Sequence, residues 1–234
     1  MTPLLQTHQL AAFYGDFQAL FGIDFEIAEG ETVAIIGANG AGKSTFLKTV
    51  TGLLNAPREN IVWDGRAVGG TPAHRLVALG IAMVPEGRRL FPSLSVEENL
   101  VIGAHAGRAG AWSLARVYAL FPVLAERRHS PATALSGGQQ QMVAIGRALM
   151  ANPRLLICDE LSLGLSPLVI REIYQALARI SAEGTTLILV EQDVGWARAH
   201  SGRLYCFQEG RVALCGKSSE TTMDEISLAY FGVC

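Results

Sequence analysis

Residues 32–44 of the chain read TVAIIGANGAGKS, an apolar run followed by a glycine-rich loop and a lysine–serine pair. The run Thr32–Ile36 is short and β-branched, which predicts a strand buried on both faces. From Lys43 to Leu53 the apolar residues recur at helical spacing. The loop between them matches GxxxxGK[ST], a pattern expected by chance in about 1% of chains of this length. A strand, this loop and a helix in that order predict a phosphate-binding loop.

The residue types of this loop suit a nucleotide phosphate. Glycines let successive backbone N–H groups turn toward phosphate oxygens, and the following helix N-terminus adds a favourable dipole. Lys43 would place a positive charge beside the β- and γ-phosphates, and the Ser44 hydroxyl would bind Mg²⁺. The alternative is an ordinary glycine-rich turn, which the flanking strand and helix disfavour. The candidate nucleotide-binding residues here are Gly37, Ala38, Asn39, Gly40, Ala41, Gly42, Lys43, Ser44 and Thr45.

A second apolar run ends in two carboxylates. Leu155–Cys158 predicts a buried strand, and Asp159 and Glu160 follow it directly. Ligands of a parallel sheet bind beyond the carboxyl ends of its strands. Asp159 is therefore expected near the phosphate loop as a Mg²⁺ ligand, and Glu160 is placed to polarise an attacking water. A polar strand end that meets solvent is the alternative, and the phosphate loop favours the catalytic interpretation.

Residues Leu135–Gln139 read LSGGQ and resemble the signature of the ATP-binding cassette family, a resemblance that covers essentially the whole chain. Five fixed residues are expected by chance in fewer than about 0.1% of such chains. A linker before the helix Gln139–Met150 is the alternative. Serine, glycine N–H groups and a helix N-terminus suit a second anion. In the family, one chain's signature closes over ATP held by another in a head-to-tail dimer. The residues that this implies as γ-phosphate ligands are Ser136, Gly137, Gly138 and Gln139.

Other positions follow from the resemblance. Tyr14 matches the aromatic residue that stacks on adenine, with an edge-strand core residue as the alternative. Glu86 replaces the usual lid glutamine and could bind nucleotide and Mg²⁺. Gln192 replaces the switch histidine; its amide can hydrogen-bond a phosphate or water but carries no charge. Ser166 and Leu161 replace a common aspartate and proline. These departures could indicate a degenerate ATPase.

The departures occur together with VPEGR at residues 84–88, SLGLSP at 162–167 and LVEQ at 189–192. This set resembles the second ATP-binding subunit of branched-chain amino-acid importers, which is active. The resemblance implies a cytoplasmic ATPase subunit that uses ATP and Mg²⁺ at the inner face of the plasma membrane. It also implies a second, related ATPase subunit, two integral-membrane permease subunits and, indirectly, a periplasmic solute-binding protein. Import of urea or amides is an alternative, and a non-transport ATPase or nucleotide sensor is less favoured.

The alternation of strands and helices predicts an α/β fold. The helix Pro167–Ile180 precedes a strand at Thr185–Val190, which implies a mostly parallel sheet. Ile23–Ile27 alternates apolar and acidic residues, and Ser95–Met150 contains helical patterns without a convincing strand. With the resemblance, we expect a P-loop NTPase (RecA-like) core, an antiparallel β edge subdomain and an inserted α-helical subdomain. The expected single domain spans 1–234, with its core at about 1–86 and 152–234 and its helical subdomain at about 87–151.

Composition excludes several classes of protein. The 19 Lys and Arg against 21 Asp and Glu leave no basic excess, so nucleic acid is not an expected partner. The mean hydropathy of +0.28 raises the question of a membrane span. The longest runs without polar residues, Leu76–Pro85 and Val117–Ala125, are about half the ~20 residues that a span requires. No signal peptide is visible. The cysteines lack metal-binding spacing and predict buried or idle thiols: Cys158, Cys206, Cys215 and Cys234.

Overall fold

Ten strands occur in residues 3–231, the part of the chain that this computed structural model describes. In chain order they are β1 (Pro3–Tyr14), β2 (Phe17–Ala28), β3 (Thr32–Ile36), β4 (Ile61–Trp63), β5 (Arg66–Ala67), β6 (Ile81–Val84), β7 (Leu155–Asp159), β8 (Thr186–Val190), β9 (Arg203–Gln208) and β10 (Arg211–Lys217).

Residues 3–231 also contain nine α-helices. They are α1 (Lys43–Val50), α2 (Ala73–Leu79), α3 (Val96–Ile102), α4 (Leu114–Leu120), α5 (Pro122–Glu126), α6 (Gly137–Leu149), α7 (Pro167–Ala182), α8 (Val194–Ala199) and α9 (Met223–Phe231). Short 3₁₀ helices lie at Arg58–Asn60, Gly103–Ala106 and Ala132–Ala134. Among residues 3–231, none of the helices has the length and apolar character of a membrane-spanning segment.

The strands form two sheets of different character. The six-stranded sheet has the order β10-β9-β3-β8-β7-β6, in which only β10 pairs antiparallel to its neighbour. The four-stranded sheet, with the order β2-β1-β4-β5, is antiparallel. These sheets confirm the predicted fold class. Because β3, β8 and β7 are adjacent and parallel, the segments that follow them meet at one edge of the sheet.

The central strands are buried on both faces, which explains their continuous apolar sequence. All five residues of β7 and all five of β8 are buried. In β7, Leu155 and Ile157 belong to the apolar layer that contains Phe46 of α1. Leu156 and Cys158 belong to the opposite layer, which contains residues of α6 and α7. Alternate residues of one strand therefore join the two layers of the core.

The chain between β6 and β7 contains α3 to α6, as the helical insertion requires. Ser95 caps α3 in a capping box with Glu98. Gly146 of α6 allows close packing, because a Cβ there would lie 2.7 Å from side chains of Leu100 and Val117. The boundaries at residues 87 and 151 stay a prediction.

Several elements differ from the sequence prediction. The predicted strand Ile23–Ile27 is only the inner part of β2. The predicted helix from Lys43 ends at Val50, because Gly52 takes a left-handed φ of 73° in the turn that follows. The strands β1, β4, β5, β6, β9 and β10 were not predicted. Cys158 and Cys206 are buried, Cys215 is exposed, and Cys234 lies outside the described residues.

Candidate functional site

A cleft of about 770 Å³ lies where the segments after β3, β7 and β8 meet the β1–β2 hairpin. It brings together predicted residues that are distant in sequence. Residues 39–45 of the phosphate loop line one wall, and Glu86, Glu160 and Gln192 line another part. Tyr14, which was also predicted, lines the cleft together with residues that were not predicted, namely Phe17, Gln18, Ala19, Phe21, Leu163, Glu209 and Gly210.

The phosphate loop is held in a conformation that requires glycine. Gly37 and Gly42 have φ values of 148° and 102°. A Cβ on Gly37 would lie 2.3 Å from the carbonyl oxygen of Phe207, and one on Gly42 would lie 2.9 Å from Leu20. No side chain caps the N-terminus of α1, so its N–H groups point into the cleft without a side-chain acceptor. The loop thus fits a phosphate group.

Lys43 is buried beneath this loop. Its ammonium donates hydrogen bonds to the carbonyl oxygens of Gly37 at 2.6 Å and Ala38 at 3.1 Å. Burial lowers the pKa of Lys43, while the charges of Glu160 and Asp159 oppose that shift. The lysine therefore supplies a partly desolvated positive charge at the centre of the loop.

Asp159, a predicted Mg²⁺ ligand, lies close enough to Glu160 and Glu86 for their charges to act on it. Asp159 is 6% exposed. Burial, with the nearby charges of Glu160 and Glu86, raises its pKa to about 6 despite the opposing effects of Lys43 and the Glu86 N–H. No cluster of three or more His, Cys, Asp or Glu among residues 3–231 is arranged to hold a metal. The donor set of Ser44, Asp159 and Glu86 fits Mg²⁺, which characteristically takes few protein ligands and completes its shell with phosphate and water.

We expect Asp159→Asn to stabilise the chain above pH 6 when Mg²⁺ is absent. The folded pKa of about 6 exceeds the ~3.9 of an unfolded aspartate, so the folded chain binds the extra proton. Stability therefore falls as pH rises from about 4 to 6 and stays reduced above that range. The wild-type carboxylate costs up to about 3 kcal/mol at pH 7. Thermal unfolding at pH 7.5 and pH 4 checks this, and a gain of equal size at both pH values would contradict it.

Glu160 is held by two contacts from the end of β8. Its backbone N–H donates to the Val190 carbonyl at 2.9 Å, and the amide of Gln192 donates to its Oε2 at 2.7 Å. Glu160 itself has a φ of 48°, an uncommon value for a residue with a side chain. The strained backbone and the Gln192 contact together fix the direction of this carboxylate.

Gln192→Ala is expected to lower ATP turnover by about tenfold to a hundredfold. Without the Gln192 amide the Glu160 carboxylate is no longer correctly oriented, and a misplaced catalytic group reduces the reaction rate by about this factor. ATP affinity should stay nearly intact, since the phosphate loop does not involve Gln192. Phosphate release and equilibrium binding of a fluorescent ATP analogue measure the two effects. Unchanged turnover would show that Gln192 has no role in catalysis.

The β1–β2 hairpin contributes three aromatic residues to the lining of the cleft, Tyr14, Phe17 and Phe21. Tyr14 and Phe17 are direct cross-strand partners on either side of the turn, so they share one face of the hairpin. The Tyr14 hydroxyl lies 3.5 Å from Thr45 Oγ1, and Lys48 Nζ lies 5.8 Å from the Tyr14 ring centroid. Phe17 is 69% exposed. Only the hairpin register reveals its position, so sequence reasoning found Tyr14 and missed Phe17.

The signature does not line this cleft. Ser136 caps α6: its Oγ accepts from the Gln139 N–H at 3.3 Å, and Gln139 Oε1 accepts from the Ser136 N–H at 3.0 Å. A Cβ on Gly138 would lie 2.5 Å from Val169, so the helix start packs closely on α7. Within one chain, the four signature residues and the phosphate loop form two separate sites. The predicted meeting of the two across a dimer stays a prediction.

The chain is similar over most of its length to known transport proteins. Residues 20–162 match the family model described as ABC transporter. The chain is 42% identical over 232 residues to the high-affinity branched-chain amino acid transport ATP-binding protein BraG of Pseudomonas aeruginosa, across 98% of this chain and 100% of that protein. It is 34% identical over 215 residues to the glutamine transport ATP-binding protein GlnQ of Escherichia coli, across 90% of each.

A solved structure extends the similarity to three dimensions. The fold matches the dimeric post-hydrolysis state of an ATP-binding cassette bound to ADP and Pi with a TM-score of 0.81 and 26% identity. The match covers 92% of this chain and 98% of that one.

Proposed function

The chain belongs to the ABC transporter family, and from this premise we propose that it powers an importer of branched-chain or related amino acids. It is the ATP-hydrolysing subunit of an ABC importer: it binds ATP and couples hydrolysis to transport. The observation that carries the catalytic part of the proposal is the contact of Gln192 with Glu160 in the cleft that contains the phosphate loop.

Different residues of the cleft would have different roles in ATP hydrolysis. The N–H groups after Gly37 and the ammonium of Lys43 hold the β- and γ-phosphates. Glu160 accepts a proton from water as the water oxygen bonds to the γ-phosphorus, and the bond to the bridging oxygen breaks to release ADP and phosphate. Gln192 directs the Glu160 carboxylate. Mg²⁺, held by Ser44, Asp159 and Glu86, would neutralise phosphate charge when bound.

The partners follow from the proposed function. The signature residues of a second ATPase subunit, a related chain, would close over ATP in a head-to-tail pair. Their equivalents here are Ser136, Gly137, Gly138 and Gln139. The pair would dock on two permease subunits at the cytoplasmic face of the plasma membrane, and a periplasmic solute-binding protein would deliver the solute. Exposed apolar residues of the helical region, such as Phe91 and Val101, support docking on a partner.

The substrate class rests on similarity to BraG, and GlnQ supports a related amino acid as the alternative. The test is uptake in proteoliposomes that contain this chain, its partner ATPase and the permease subunits with which they assemble. We expect ATP-dependent uptake of labelled leucine, competed by isoleucine and lost in Glu160→Gln. Uptake of glutamine or urea without leucine would overturn the substrate class. ATP hydrolysis by a chain that never associates with the permeases would overturn the importer assignment.

A further inference from the structure

Glu191 is a buried carboxylate just outside the nucleotide cleft. It follows β8, is 2% exposed and does not line the cleft. The Ser162 hydroxyl donates to its Oε2 at 2.6 Å, and the Tyr174 hydroxyl donates to its Oε1 at 2.7 Å. Each carboxylate oxygen therefore has its own hydroxyl donor, an arrangement that suits an ionised, acceptor-only group. The mechanism above does not use this charge.

The hydrogen bonds of Glu191 reach the segment that carries Glu160. Ser162 lies two residues after Glu160, and Gln192 lies directly after Glu191. After β8, Glu191 accepts a hydrogen bond from Ser162 at 2.6 Å, and Gln192 donates one to Glu160 at 2.7 Å. The backbone bond from Glu160 to Val190 adds a third link. Together they tie residues 190–192 to residues 160–162.

A rigid group of aromatic rings supports the other oxygen of Glu191. The ring centroids of Tyr174 and Trp196 lie 4.9 Å apart at an interplanar angle of 25°. His200 lies 4.3 Å from Tyr174 and 5.0 Å from Trp196. Tyr174 belongs to α7, while Trp196 and His200 come from α8 and its C-cap, so Glu191 contacts α7 directly and α8 only through the Tyr174 ring.

Burial of the Glu191 carboxylate is energetically unfavourable, which indicates a functional reason for a carboxylate at this position. Burial raises the pKa of Glu191, and the hydrogen bonds from Ser162 and Tyr174 oppose that shift. A buried charge without partners is strongly destabilising, so the two hydroxyls are needed to stabilise the ionised carboxylate. A neutral side chain could fill the same space more cheaply, but it could not accept from both hydroxyls while fixing their positions.

We propose that Glu191 is a positioning residue for ATP hydrolysis, which holds the segment after β7 through Ser162 and so fixes Glu160 beside the phosphates. The proposal rests on the proposed function, because it assumes that Glu160 activates water. Leu163 lines the cleft one residue after Ser162, so a shift of this segment also moves a wall of the cleft. Glu191 acts on the chemical step rather than on nucleotide binding.

The test is the turnover of Glu191→Gln in the full-length chain. The amide keeps the size of the side chain but offers one acceptor oxygen in place of two. We expect kcat to fall by about tenfold to a hundredfold, and the Kd for ATP to change by less than about twofold. Ser162→Ala should lower kcat in the same direction. The double variant should be no slower than Glu191→Gln alone, because both changes remove one connection.

Glu31→Gln is the matched control. Glu31 is a partly buried carboxylate that accepts from Arg203, and it lies outside the cleft at the start of β3. The Glu31→Gln substitution should lower the midpoint temperature of thermal unfolding and leave kcat unchanged. If Glu191→Gln does not fold, Ser162→Ala and Tyr174→Phe carry the test, since each removes one hydroxyl donor.

These variants distinguish failure of the positioning role of Glu191 from failure of the proposed function. If Glu160→Gln loses turnover while Glu191→Gln and Ser162→Ala keep it, the positioning role is wrong and the proposed function stands. Additive losses in the double variant would also overturn the positioning role. If Glu160→Gln keeps full turnover, the base assignment of the proposed function fails first.

Discussion

Glu160→Gln is expected to abolish ATP hydrolysis and to leave ATP binding intact. The Glu160 carboxylate lines the cleft and accepts a hydrogen bond from Gln192 at 2.7 Å. Glutamine has the same shape but cannot accept a proton from the attacking water. Loss of a general base lowers a rate by about a hundredfold to ten-thousandfold. Phosphate release under saturating ATP and Mg²⁺ measures this loss.

The same variant should trap the ATP-bound dimer, because hydrolysis is the step that reopens it. Size-exclusion chromatography with the partner subunit and ATP would then show a stable pair, whereas the wild-type pair dissociates. Glu59→Gln is the control, since Glu59 is an exposed carboxylate in a 3₁₀ helix outside the cleft. Turnover above a tenth of the wild-type value in Glu160→Gln would rule out this residue as the general base.

Lys43→Ala should weaken ATP binding by about tenfold to a hundredfold. A hydrogen bond to a charged group contributes about 1.5–3 kcal/mol, and about 1.4 kcal/mol corresponds to a factor of ten in Kd. The substitution also removes the two bonds from Lys43 to the Gly37 and Ala38 carbonyls, so the loop loses its internal support. Equilibrium titration with a fluorescent ATP analogue gives the Kd directly.

Binding and stability must be separated in this experiment. Lys217→Ala removes an exposed lysine that pairs with Glu220, and it should leave the Kd unchanged. Circular dichroism checks that Lys43→Ala is folded at the assay temperature. A folded Lys43→Ala chain with wild-type affinity for ATP would show that backbone N–H groups alone hold the phosphates.

The sequence predicted the parts of the site that sit at the ends of short apolar runs. The phosphate loop follows β3, and Asp159 and Glu160 stand at the end of β7, because a buried strand needs a continuous apolar run that is visible in the sequence. Gln192 was found through the family resemblance, which the ABC transporter match over residues 20–162 confirms. Its contact with Glu160 needed the structure.

What the sequence did not predict depends on long-range pairing. Phe17 joins Tyr14 only through the register of a hairpin whose strands contain several irregularities that hide the alternation. The position of Glu191 in a polar network depends on Tyr174 and Ser162, which belong to different segments. Such contacts leave no local pattern, since their partners are set by the sheet order and by the packing of α7 on it.

The place of β3 in the sheet has a consequence for the synthesis of the protein. Its neighbours β8 (Thr186–Val190) and β9 (Arg203–Gln208) are synthesised about 150 and about 170 residues later. At about 5–20 residues per second, the ribosome needs roughly 8–30 s to supply them. Until then the nascent chain carries an apolar strand with two open edges, which favours early contact with chaperones. Nucleotide affinity is therefore acquired only after residues through Gln208 have been synthesised.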